Sequence, residues 1–87
     1  TYTVTLADYT ICVNATSGAV TVNLPAASGN DGMVYVIKKI DSSGNAVTID
    51  GNGSETIDGS TTKTLSAQYA TLQLICDGSN WLILNQL

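Results

Sequence analysis

The chain contains no histidine, no arginine and no long apolar run, and each absence closes a class of function. Without histidine, no side chain has an ordinary pKa suited to proton transfer near neutral pH. The serines lack any nearby partner of triad type, so nucleophilic catalysis finds no motif. Three lysines are the only cations, and the net charge is −4 over 87 residues. Neutralising phosphate takes many cations, so nucleic acid is not expected as a partner, and anionic membrane surfaces are disfavoured for the same reason. No apolar stretch approaches the roughly 20 residues of a helical span, so membrane insertion is not expected. The reading is of a non-enzymatic protein with no cofactor and no catalytic motif.

What is present points to strands. Aliphatic and aromatic residues make up 44% of the chain, enough for a core, so disorder is not expected. Charged residues are only 11%, and threonine, serine, asparagine and glycine supply the polarity, a surface suited to an extracellular or virion-exposed β protein. Apolar residues alternate in Tyr2–Val4–Leu6, Tyr9–Ile11–Val13, Val20–Val22–Leu24, Val34–Val36, Val47–Ile49, Leu72–Leu74 and Trp81–Ile83. That period of two, rich in β-branched residues, argues for strands, and no long stretch carries a helical period. Between the runs lie "TSG", "SGNDG", "DSSGN", "GNGS", "DGS" and "DGSN", built from residues that favour turns. The expectation is one all-β domain over residues 1–87: a small antiparallel β-sandwich or barrel-like unit of eight to ten short strands. With no initiator methionine and no signal-peptide pattern, it reads as a mature product or as a segment of something longer.

Two stretches look alike, "GAVTVNLP" (18–25) and "NAVTIDGN" (45–52). They fit either a weak duplication or two strands answering one packing demand, and the second reading is favoured because no fixed period continues past them. "MVYVI" (33–37) and "WLIL" (81–84) have no polar side. They are either central strands between two layers or strands covered by a second subunit. Because a domain this small buries only about 60–65% of its unfolded surface, the subunit reading gains weight. Cys12 and Cys76 lie in expected strands and suit either one disulfide or, for Cys76 on the Leu72–Leu74 face, a buried free thiol.

The blocks "VTVNLPAAS", "YVIKKIDSSGNAVTIDGNGSETIDG" and "TLSAQYATLQLICDGSNWLIL" resemble a module recurring in bacteriophage tail-fibre and related virion appendage proteins. The resemblance covers roughly residues 18–84. It implies an all-β module on the virion exterior, commonly in homotrimeric fibres near the receptor-facing end. Implied partners are further copies of the chain, other virion proteins and a host cell-surface glycan, and no catalytic motif transfers with it.

The loop "IDGNGSETIDG" (49–59) is the densest group of side-chain oxygens. Set against a helix-flanked calcium loop, Asp50, Asn52 and Ser54 fit, but Glu55 stands where glycine is needed and Thr61 where glutamate is needed. A glycosidase pair of Glu55 with Asp50 or Asp58 would need two carboxylates facing each other across a cleft, and these share one loop. The loop therefore reads as a turn, with "ETI" a brief edge strand. Candidate ligand or interface residues are Trp81, Tyr69, Lys38 and Lys39. Trp81 is either packed or a sugar-stacking platform, and Tyr35 is packed. Lys38 and Lys39 either keep a strand end soluble and unpaired or bind an anionic sugar as a pair. Alternatives to the fibre module are a capsid decoration protein, a filament subunit donating "TYTVT" as a strand, and a secreted monomeric carbohydrate-binding module.

Overall fold

The computed structural model describes residues 2–3 and 10–86. Within them run β1 (Tyr2–Thr3), β2 (Thr10–Val13), β3 (Val20–Asn23), β4 (Val34–Lys39), β5 (Val47–Asp50), β6 (Thr62–Leu65), β7 (Thr71–Cys76) and β8 (Trp81–Gln86). One sheet has the order β2-β4-β7-β8; the other is β3-β5-β6 with the two-residue β1 at its edge. The all-β expectation holds. Seven strands reach four residues, fewer than the eight to ten expected, and two open sheets face each other without closing as a barrel. Val4, Leu6 and Tyr9 of the expected alternation, like most of "TYTVT", lie outside the described residues.

The expected antiparallel arrangement is corrected to a mixed one. β1/β3, β3/β5 and β2/β4 pair in parallel, whereas β5/β6, β4/β7 and β7/β8 are antiparallel. From β1 to β5 the chain alternates between the sheets, so each circuit lays its strands directly on those of the circuit before. A period of two cannot distinguish this from antiparallel pairing, because side chains alternate in both.

The two look-alike stretches are the stacked strands β3 and β5, with Val20 against Val47, Thr21 against Thr48 and Val22 against Ile49. The likeness extends further back than the sequence reading carried it. β2 lies on β4 with Thr10 against Val36 and Ile11 against Ile37, so "TICVNATSG" (10–18) sits on "VIKKIDSSG" (36–44). Asn45 is the extra residue that changes the offset from 26 to 27. Its side-chain amide donates to the Ala15 and Thr16 carbonyls, at 2.8 and 3.4 Å, tying its own circuit to the previous one.

Both sheets turn one face inward. Ile11, Val13, Val22, Tyr35, Ile37, Val47, Ile49, Leu65, Leu72, Leu74 and Trp81 form a single buried cluster. The Cα radius of gyration, 11.9 Å, is what about 87 residues packed as one body should give. Cys76 is buried on the Leu72–Leu74 face as expected, and both cysteines are free thiols. A disulfide between them is ruled out in this fold, since Cys12 is exposed on the opposite side of the sheet. The Cys76 thiol donates to the Ala27 carbonyl at 3.3 Å, and burial pushes its pKa up.

The outer faces differ sharply. On the β3-β5-β6 sheet the registered rows are Thr21–Thr48–Thr64 and Asn23–Asp50–Thr62, polar throughout. On the β2-β4-β7-β8 sheet the first row is Val34–Ile75–Leu82 and the second Val36–Gln73–Asn85. A bulge at Gln73/Leu74 adds Leu84, which is 55% exposed. The third row brings Cys12, Lys38 and Thr71 together at the sheet end. This face thus grades from apolar to polar and cationic over two steps along the strands.

Candidate functional site

The oxygen-rich loop turns the chain, as its composition suggests, and also fastens both sheets. Both Glu55 carboxylate oxygens accept the Ala27 N–H, at 3.0 and 3.1 Å. Residues 56–58 run along the start of β8: Trp81 N–H donates to the Thr56 carbonyl, Asp58 N–H to the Trp81 carbonyl, and Ile83 N–H to Asp58 Oδ1. Backbone groups at the start of β8's outer edge are thereby satisfied, which blunts that part of the edge as a template for pairing with another chain. "ETI" does not form a full strand; Ile57 makes single bridges to Ser60 and Trp81. Glu55 and Asp58 are each tied to a backbone amide, which leaves them poorly placed to face each other as an acid–base pair. Among the described residues no group of acidic or cysteine side chains has the arrangement of a metal site.

Gly51 is what lets this loop close. A Cβ there would stand 2.4 Å from the Glu55 carbonyl oxygen, a backbone atom that cannot swing aside. Gly51→Ala is expected to cost about 1–3 kcal/mol and to loosen the Glu55–Ala27 contact. Urea denaturation measures the loss, and an unchanged midpoint would count against the close fit.

The four candidate residues divide into two pairs. Trp81 is fully buried, its ring centroid 5.6 Å from that of Tyr35, so it is a core residue and not a platform. Tyr35 is buried as expected. Lys39 is also fully buried, which corrects its reading as a soluble strand end or half of an anion-binding pair. Alternation explains why: Tyr35, Ile37 and Lys39 share the inner face, while Lys38 points outward.

Burying a lysine requires partners. Lys39 Nζ donates to Asp41 Oδ2 at 3.0 Å, to the Asp41 carbonyl at 3.0 Å and to the Ser43 carbonyl at 2.8 Å, so all three protons are used. Asp41 in turn accepts the Ala15 N–H at 2.8 Å, the Ser43 N–H at 3.1 Å and the Ser43 hydroxyl. The Ser43 hydroxyl, the Ala15 N–H and Lys39 hold its carboxyl well below the usual carboxylate range, against the opposing effect of burial. This cluster joins the corners at residues 13–16 and 40–45, one stacked on the other, and its role is structural.

Lys38 and Tyr69 do meet. Lys38 Nζ lies 5.5 Å from the centre of the Tyr69 ring, within cation–π range, and donates to the Tyr69 carbonyl at 3.3 Å and to Thr71 Oγ1 at 3.2 Å. Tyr69 is 59% exposed with φ 67°, a left-handed conformation costing an L residue roughly 1–2 kcal/mol. Its N–H donates to the Lys39 carbonyl, which holds that conformation in place. Beside this pair a cleft of about 200 Å³ is lined by Val36, Thr71, Gln73 and Asn85. A larger cleft of about 370 Å³ runs along Tyr2, Thr10, Ile11, Cys12, Val13, Asn14 and Val20, and no charged side chain lines either cleft. The smaller cleft is mostly apolar, and the Lys38–Tyr69 pair adjoins it through Thr71.

Neither protein-family models nor curated proteins give a match to this chain.

Proposed function

We propose that this chain is a non-enzymatic structural and attachment module of a phage tail fibre or similar virion appendage, working as a homotrimer on the virion exterior. The observation that carries the reading is the asymmetry of the outer faces. One sheet presents threonine, asparagine and aspartate to solvent, whereas the other presents Val34, Ile75, Leu82 and Leu84. A strand apolar on both sides calls for cover on both sides. Copies of the same chain supply that cover, and their polar sheets then face outward. The resemblance of the three sequence blocks to fibre modules supports the same assembly. The commitment of Glu55, Asp58 and Asp77 to backbone amides supports a structural role over a catalytic one.

The test is native mass by light scattering on a size-exclusion column, with circular dichroism to verify folding. Wild type is expected at three times the 9.0 kDa chain mass. Leu82→Asp should give a folded monomer, while Thr48→Asp on the polar sheet should leave the trimer intact. A wild-type monomer, or a Leu82→Asp trimer, would overturn the proposal.

A further inference from the structure

We infer that Lys38, Tyr69, Thr71, Gln73 and Asn85 form a subsite for one carboxylate-bearing pyranose of a surface polysaccharide. The inference rests on the attachment reading above and names its ligand class.

Four features argue for it. The first is the strained display of Tyr69. A bulky residue at φ 67°, itself 59% exposed, is neither packing a core nor following its backbone preference. Strain that persists against such preferences marks sites where the display itself is used. A flat aromatic face suits the C–H face of a sugar ring.

The second is an uncompensated cation. Among the described residues the one ion pair is Lys39–Asp41, so Lys38 has no carboxylate partner. Its two acceptors are neutral and long, at 3.2 and 3.3 Å, and a third proton stays available. An anion arriving over the Tyr69 edge would meet that charge.

Third, the adjoining cleft is mostly apolar, as the C–H face of a sugar ring is, and includes Val36, with a few neutral polar groups beside it. The Gln73 and Asn85 amides stand directly opposite each other across β7 and β8, and the Thr71 hydroxyl lies between them and Lys38. Fourth is size. About 200 Å³ falls below the ordinary range of small-molecule pockets and suits a single sugar ring. One such contact is weak, and three copies on one assembly raise it by effective concentration.

The site lies at the polar end of the graded sheet face, while the proposed subunit contact occupies the apolar end. Ligand binding and assembly can therefore fail separately. The experiment titrates the isotope-labelled chain with sodium glucuronate, glucose, acetate and inorganic phosphate, following backbone and side-chain amide shifts by NMR. Native mass is measured on the same samples.

Glucuronate is expected to give saturable shifts at Lys38, Tyr69, Thr71, Gln73 and Asn85, with a Kd on the order of 1–10 mM per site. Glucose, acetate and phosphate should each bind at least about tenfold more weakly, since each lacks either the charge or the ring. Tyr69→Asn is the sharper variant, because asparagine tolerates the left-handed backbone. It should keep or raise stability while weakening glucuronate binding by about tenfold or more, and Lys38→Gln should abolish the preference for glucuronate over glucose. Equal responses to glucuronate and acetate, shifts confined to other residues, or full affinity in Tyr69→Asn would each overturn the site. Binding by a monomer would sustain the site and refute the assembly; a trimer without binding would do the reverse.

Discussion

Asp41→Ala is expected to lower the melting midpoint by roughly 10–20 °C, because it strands a buried charge. Lys39 would keep only its two backbone acceptors, and the Ala15 N–H would lose its partner. The two stacked corners would then be joined by Asn45, the Ser43 hydroxyl on the Ala15 carbonyl and the Ile40–Val13 backbone bond. Lys39→Met is the informative companion. It removes the charge and keeps an apolar stem of similar length, so it should cost clearly less than Asp41→Ala. A reversed order would show that the ion pair is not what holds the corner.

Acid should act on the same place. The folded carboxyl of Asp41 titrates below its ordinary 3.8, so between the two values the unfolded chain binds the extra proton. The contribution is therefore complete above the ordinary carboxylate range and drains away as pH falls through and below it. Asp77, also lowered by the Asn80 and Ser79 N–H groups that it accepts, adds in the same direction. Denaturation midpoints against pH should be flat near neutrality and fall in acid, and the fall should be shallower in Asp41→Ala.

The second large effect belongs to Trp81. Truncation to alanine should cost about 3–5 kcal/mol, since the ring is fully buried against Tyr35. Phenylalanine should be far milder, at under about 2 kcal/mol. The reason is that Nε1 is buried with no hydrogen-bond partner among the described residues, so the indole carries a desolvated N–H that phenylalanine lacks. Urea unfolding followed by circular dichroism separates the two substitutions. Equal losses would mean that the position depends on the indole N–H itself, which both substitutions remove, and would overturn its reading as an orphan donor.

Much of this architecture was legible in single residues. Leu72, Leu74 and Cys76 alternate with Thr71, Gln73 and Ile75, and the first set is buried as the pattern demands. Tyr35 and Ile37 follow the same rule. So does Lys39, two positions on, yet its chemistry argued for solvent; Asp41 and Ser43, spaced to receive its protons, were the signal that reconciles the two. Pairing direction was less accessible, because Val20 and Val47 would alternate identically in either sense. The near-constant offset from Thr10–Val36 to Val20–Val47 carries that information, and it shows once "TICVNATSG" is set beside "VIKKIDSSG". Tyr69 and Lys38 could be named as candidates individually. Their meeting depends on the end of β4 lying beside the start of β7, which no local pattern encodes.

The stacked circuits have a consequence for how such a chain could change length. Each circuit rests on the one before through strands in matching register and a corner joined by Asp41, Ser43 and Asn45. In arrays of this type each unit touches only its neighbours. A further copy of the 26–27-residue segment, inserted between the existing two, would find above and below it the same surfaces that they offer each other. Extension by duplication would thus lengthen the stack while leaving the two circuits at its ends unaltered.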